Sequence, residues 1–177
     1  MDLEFLKTCL QYEPETGTFR WRRRPVDHFS DKRIANAFNS TWPGRRAGSV
    51  KKDGRTDIYV SGMRLKAHRL VWLFETGAWP AKHLDHINGD PSDNRICNLR
   101  EATDSQNGFN RGPGKNNTSG YKGVYWDKPC SKWRAQIMVK RKVVFLGHFA
   151  TPEDAAKAYA VGAQRYAGEF SRAVVPD

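Results

Sequence analysis

Between Leu84 and Asn110 the chain reads LDHINGDPSDNRICNLREATDSQNGFN, and this stretch holds side chains able to cut a phosphodiester. Asp85 and His86 are adjacent, a Gly-Asp-Pro turn follows at Gly89–Pro91, and Asn98, Asn107 and Asn110 come after it. Hydrolysis of a phosphodiester needs a base to activate water, a cation to stabilise charge on the phosphorus oxygens, and a hold on the backbone. An imidazole titrates near neutrality and suits the base. A hard divalent ion takes oxygen ligands and keeps several waters, so one carboxylate and one amide can be enough protein ligation. Neighbouring residues on a strand face opposite ways, so Asp85 and His86 converge only at an irregular strand end. The turn just after them supplies one.

The elements around this stretch follow from period and punctuation. Lys82 to Ile87 predicts a strand, Asn88–Pro91 a turn and loop, and Ile96 to Arg100 a second strand. Thr103-Asp104-Ser105-Gln106 predicts a capping box, and hence a short helix to Asn110 that carries Asn107. Upstream, Leu3, Leu6 and Leu10 predict an opening helix that stops at the Tyr12–Gly17 turn, and Thr18–Arg22 predicts a strand. The cluster Arg20, Arg22, Arg23 and Arg24 offers phosphate contacts or a solvated face. Residues 25–45 show no period and predict a long loop. Short strands are expected over Ala47–Lys51 and Asp57–Ser61. Lys66–Thr76 predicts a helix stopped by Gly77, with His68 packed beside its apolar face. His83 is expected at the edge of the site, Arg95 and Arg100 at phosphates or in ion pairs, and Cys97 in core packing.

The formal net charge is +11, which favours a polyanionic partner. Residues 1–111 carry 19 Lys and Arg against 14 Asp and Glu, and residues 112–177 carry 11 against 5, so both parts are basic. No run reaches the roughly 18 apolar residues of a spanning helix, and the acidic start MDLEFLKTCL does not read as a signal peptide. Cys9, Cys97 and Cys130 are far apart, which predicts free thiols in a reducing cytoplasm and no cysteine-based zinc site.

These motifs resemble the HNH nucleases, in the branch found in phage and in intron-encoded homing endonucleases. The likeness rests on AHRLVW (Ala67–Trp72), LDHINGD (Leu84–Asp90), DNR (Asp93–Arg95), NLR (Asn98–Arg100) and Gln106-Asn107, with a Y-x-P-x-T-G-x-F-x-W opening at Tyr12–Trp21. It covers roughly residues 1–111. It implies a ββα-metal core in which Asp85 binds the metal, His86 is the general base, Asn107 is the metal ligand from the helix, and Asn98 ties the loop that holds the histidine. Where many relatives carry a histidine on that helix, this chain has Asn107, which favours Mg²⁺ or Mn²⁺ over zinc.

Arg111–Thr118 contains no apolar residue and reads as a linker. Beyond it, Tyr121–Trp126, Lys132–Lys140 and Lys142–His148 predict three strands. In the middle one Trp133, Ala135, Ile137 and Val139 face one way, and Arg134, Gln136, Met138 and Lys140 the other. Thr151 and Pro152 predict the start of a helix whose face is Ala155, Ala156, Tyr159, Ala163 and Tyr166. SGYKGVYWD, KWRAQI and FLGHFATPEDAAKAYA resemble the plant Apetala/ethylene-response-factor DNA-binding domain over about residues 119–170. That resemblance implies a sheet laid in the DNA major groove. Lys122, Tyr125, Gln136, Val143 and Phe145 fall near its contact positions, and Lys122, Arg134 and Lys140 are the expected phosphate or base contacts, with Met138 on the same face.

The expected fold is therefore α+β: a ββα-metal nuclease domain over 1–111 (core about 82–111), a flexible basic linker over 112–119, and a three-stranded antiparallel sheet packed on one helix over 120–177. The expected function is a metal-dependent DNA endonuclease of the phage homing type. It would act as a monomer on double-stranded DNA, without a membrane, in the cytoplasm of the host cell if phage-encoded. The competing expectations are a sequence-specific DNA-binding regulator that keeps an inactive nuclease fold, and a protein that binds or cuts RNA.

Overall fold

Asp2 starts the chain's first helix by accepting the Phe5 N–H at 2.7 Å, which satisfies one of the first-turn amides. The computed structural model describes residues 1–171 and divides into two units, Met1–Glu101 and Ala102–Asp177. The architecture is mixed helix and sheet, α+β.

In the first unit, α1 (Leu3–Cys9) buries Leu6 and Cys9, and the chain then becomes extended at Leu10. The segment expected as a helix end and turn is a strand, β1 (Leu10–Glu13), paired antiparallel with β2 (Thr18–Trp21). Phe19 and Trp21 face the core while Arg20 between them is exposed. Residues 25–45, expected as a loop, hold a 3-10 turn at Val26–His28 and a helix, α2 (Lys32–Thr41). Asp31 caps it by accepting the Ile34 N–H at 2.9 Å. Ala35 of α2 is fully buried, and Phe38 packs partly buried on the core.

Next, β3 (Ser49–Val50), β4 (Thr56–Val60) and β5 (Met63–Lys66) form an antiparallel sheet in that order. The chain then enters α3 (Ala67–Thr76), which ends at Gly77 with φ +78° and its N–H on the Leu73 carbonyl. A left-handed residue there costs least as glycine. Leu6, Leu10, Phe19, Ile58, Val60, Leu70 and Val71 share one core. Burial of each such side chain contributes about 1.5–3 kcal/mol. Phe19 and Phe74 meet edge to face at 5.1 Å, which binds the β1–β2 hairpin to α3. The unit closes with β6 (His83–His86), a 3-10 turn at Ile96–Asn98, and β7 (Leu99–Ala102), which pairs with β6. The expected second strand thus begins three residues late, and Cys97, expected in the core, is exposed on the turn.

The second unit opens with the capping box: Gln106 Oε1 accepts the Thr103 N–H at 2.9 Å, and Thr103 Oγ1 accepts the Gln106 N–H at 3.3 Å. This starts α4 (Asp104–Asn110). Its Phe109 is buried in the same core as Val124, Ala135, Ile137 and Tyr159, so α4 packs with the C-terminal residues and the division falls one helix before the expected linker. Three strands follow, β8 (Val124–Asp127), β9 (Lys132–Val139) and β10 (Lys142–Phe149), antiparallel with β9 central. Thr151 and Pro152 start α5 (Pro152–Ala167), whose Ala155, Ala156, Tyr159 and Ala163 are buried against the sheet. Gly123 has φ +72°, and a Cβ there would stand 2.2 Å from the Tyr159 ring.

Lys122 holds α4 to this unit. Its Nζ donates to the carbonyls of Gly108 (2.8 Å), Phe109 (2.7 Å) and Arg111 (2.6 Å), the unpaired acceptors at the helix end. Burial, and next the nearby Arg111 charge, pull its ammonium down to about 8. Lys122→Met should therefore lower the stability of the second unit by about 1–3 kcal/mol. Chemical unfolding read by fluorescence, in a background that keeps only Trp126 and Trp133 of the six tryptophans, checks this; an unchanged transition would show that the cap carries no stability.

Candidate active site and nucleic-acid interface

The last residues of β6 are Asp85 and His86, both buried. The loop after them returns on itself through polar groups. Asn98 Nδ2 donates to Asn88 Oδ1 (3.0 Å) and to the Asp93 carbonyl (2.8 Å), and Asn98 Oδ1 accepts the Asn88 N–H (2.9 Å). Asn98 thus joins both ends of the 88–98 loop. Arg95 donates two hydrogen bonds to Asp93, at 2.8 and 2.7 Å, and these are the first cause of that carboxyl's fall to about 2. Arg95 is in an ion pair, one of the two alternatives expected for it.

The loop's return sets Asn94 against His86, with Nε2 and Oδ1 3.0 Å apart. An amide oxygen can only accept, so Nε2 carries the proton, and a neutral ring then has its lone pair on Nδ1. Asn94 is itself placed by close backbone packing. A Cβ at Gly17, which has φ +65°, would lie 2.3 Å from the Asn94 carbonyl carbon. The glycine of the opening motif is therefore where the β1–β2 turn meets the loop holding His86. The Tyr12, Phe19 and Trp21 of that motif pack on or in the core.

Arg100, expected at phosphates or in an ion pair, is in an ion pair: it is on the strand paired with β6, and its Nε and Nη2 both donate to Asp85 Oδ2, at 3.2 and 3.1 Å. Its side chain is 14% exposed, so it faces this carboxylate and not solvent. Most of the N-terminal arginine cluster also works internally. Arg20 pairs with Glu13, Arg22 donates to the Leu10 carbonyl, and Arg24 is buried between Phe29 and Phe38 with a bond to Ser61. His83 is exposed at the start of β6. Asn107, half-buried on α4, donates its backbone N–H to the Thr103 carbonyl.

Sequence reasoning passed over Asn94 and the closeness of His68 to His86. Their rings meet edge to face at 5.4 Å. Burial first, and then the charges of His86, Lys66, Arg55 and Arg69, push His68 down to about 3, so it is neutral. The only signal for Asn94 was its place within Asp93-Asn94-Arg95, since a loop contact has no period. Taken singly, the Asp85 carboxylate and the Asn107 amide are oxygen donors of the kind a hard divalent ion takes; Asp85 Oδ2 also accepts from Arg100.

In the second unit the exposed sheet face is built around Arg134. Its guanidinium lies 5.1 Å from the Phe145 ring centre and 5.8 Å from that of Tyr125. The Tyr125 hydroxyl donates to Gln136 Oε1 at 2.9 Å. Met138, 63% exposed, and Val143 and Phe145, both more than half exposed, extend this face. Lys122 is not on it, because its ammonium caps α4. Lys140 is not on the strand either: it and Arg141 form the β9–β10 turn with φ of +48° and +63°, which carries Lys140 to the exposed hairpin tip.

Residues 65–109 match the family model of the HNH endonuclease. Protein 3.8 of Escherichia phage T7 is 36% identical over 78 residues, covering 44% of this chain and 64% of that protein. The AP2-like ethylene-responsive transcription factor ANT of Arabidopsis thaliana is 26% identical over 170 residues, covering 82% of this chain and 30% of that factor. The chain thus spans less than two thirds of either relative. No solved structure matches significantly. Among the described residues no helix is long and apolar enough to cross a membrane.

The buried neutral His68 gives a pH signature. Its proton affinity is depressed from 6.5 to about 3 on folding, so between those values the unfolded chain binds the extra proton. Stability is complete above pH 6.5 and falls on acidification, by up to about 1.4 kcal/mol per pH unit from this residue. In urea unfolding from pH 7 to pH 3.5, the gap between wild type and His68→Gln should shift in the variant's favour. A constant gap would refute the burial argument.

Proposed function

We propose that this chain is a metal-dependent DNA endonuclease of the phage homing type, with a ββα-metal centre and a C-terminal sheet that binds double-stranded DNA. The observation that carries the reading is the buried His86 with its Nε2 proton directed to Asn94, beside Asp85, inside the stretch matching the HNH endonuclease model. The order β6, β7, α4 within residues 83–110 supports it.

In this reading His86 takes a proton from water through Nδ1. The Asn94 contact keeps the ring in the required tautomer, and Asn98 keeps the loop that carries Asn94 in place. Asp85 and Asn107 would hold a divalent ion, Mg²⁺ or Mn²⁺, whose chemistry when bound is stabilisation of charge on the phosphate and leaving oxygens. Arg100 sets the Asp85 carboxylate from the neighbouring strand. Arg134, Tyr125, Gln136, Met138 and Phe145 would face DNA, with Lys140 reaching it from the hairpin tip, and a tethered DNA-binding face raises the effective concentration of the cutting residues.

One observation favours a second reading. Asp85 Oδ2 is already engaged by both Arg100 Nε and Nη2, as in a DNA-binding regulator whose nuclease fold is silent because its carboxylate is committed to an internal ion pair. A supercoiled-plasmid assay in Mg²⁺ and in Mn²⁺ separates the two. Wild type should nick, and His86→Ala should nick about 10²–10⁴-fold more slowly while still shifting the same DNA. Equal nicking by both removes His86 as base, and binding without nicking by wild type in either metal selects the regulator. For the sheet, Arg134→Ala should weaken duplex binding and lower the slope of log K against log salt by about 1. An unchanged slope would take Arg134 out of the interface.

A further inference from the structure

We propose that Asp127, Cys130 and His148 form a binding site for one thiophilic divalent cation of zinc's class, apart from the nuclease residues. One ligand atom from each residue lies within 4.8 Å of the other two. His148 Nε2 and Asp127 Oδ2 are 2.8 Å apart. Ligand atoms around a tetrahedral zinc are separated by about 3.3–3.8 Å, given its bond lengths, so small side-chain adjustments close the shell. A water completes the fourth position, the usual arrangement for three protein ligands.

The fold brings the three together by specific local devices. Asp127 ends β8, Cys130 lies in the β8–β9 turn, and His148 is on β10, on the far side of the central strand. The register of β10 against β9 shifts between Phe145 and Gly147, and Gly147 has φ +137°. Simple alternation would turn His148 away from the face bearing Phe145. The bulge restores it to that face, where its ring meets Phe145 at 5.0 Å and reaches Asp127.

Ligand chemistry decides the ion. A thiolate, an imidazole and a carboxylate form the mixed set that selects zinc-class ions, whereas Mg²⁺ and Mn²⁺ favour all-oxygen sets. Arg134 pairs with the cluster: its Nη1 is 3.9 Å from Asp127 Oδ2, and its guanidinium is also held by two rings. That outer-limit pair is what a bound ion would displace. The ion would then pin the β8–β9 turn to β10, across the end of the exposed face.

The test uses the full chain stripped of metal and titrated with Co²⁺, which reports its ligands by colour. In wild type a thiolate-to-metal charge-transfer band should grow and saturate at one Co²⁺ per chain, and Zn²⁺ should bleach it while excess Mg²⁺ should not. Cys130→Ser should abolish the band, Cys97→Ser should keep it, and His148→Gln should raise at least tenfold the Co²⁺ concentration at which the band half-saturates. Circular dichroism of each variant checks that it is folded. No thiolate band in wild type, its survival in Cys130→Ser, or unchanged affinity in His148→Gln would overturn the proposal. Because the readout is spectroscopic, the result stands whether or not the chain cuts DNA.

Discussion

The hydrogen bond between His86 and Asn94 sets one ring nitrogen's proton, and much of the first unit is arranged to keep it. Its two residues are eight apart on opposite ends of a loop with almost no apolar content, so hydrophobic burial cannot hold them. Asn98 does so instead with three hydrogen bonds across the loop, and Gly17 does so from the other side by letting the β1–β2 turn touch the Asn94 backbone. Both devices are intolerant. A buried polar group that loses its partner costs about 1–3 kcal/mol, and a side chain at Gly17 would collide with main chain that cannot move aside.

The second unit divides its sheet by the same physics. Its apolar face is closed by α5 and α4, which leaves a sheet face of Arg, Tyr, Gln, Met and Phe toward solvent. That face is partly preset: Arg134 is held by two rings and one carboxylate, and Tyr125 is bonded to Gln136. A surface already ordered loses less side-chain entropy when it meets a partner. Lys122 shows the opposite case, since a lysine in a DNA-binding pattern is drawn into helix capping by three unpaired carbonyls within reach.

Local signals were legible where one turn or one period decides the outcome. The Thr103–Gln106 capping box, the Gly77 stop, the Thr151-Pro152 start and the alternation of β9 follow from neighbours in sequence. The reading failed where a helix is mostly polar or contacts are distant. The helix Lys32–Thr41 buries one residue fully and passed for a loop. The strand expected from Ile96 begins at Leu99 because Ile96–Asn98 forms a tight turn, which put Cys97 outside.

The sequence by itself determined the chemistry on offer: an Asp-His pair, asparagines at fixed spacings, an excess of positive charge and the binary pattern of a half-exposed sheet. Residue type and short-range period carry that information. Tertiary structure alone decided the partners. It turned Arg100 toward Asp85, set Asn94 on His86, drew Lys122 to α4, and through one bulge brought His148 to Asp127 and Cys130. A side chain's partner depends on which backbones cross near it, and residues far apart in sequence meet only when the core has closed.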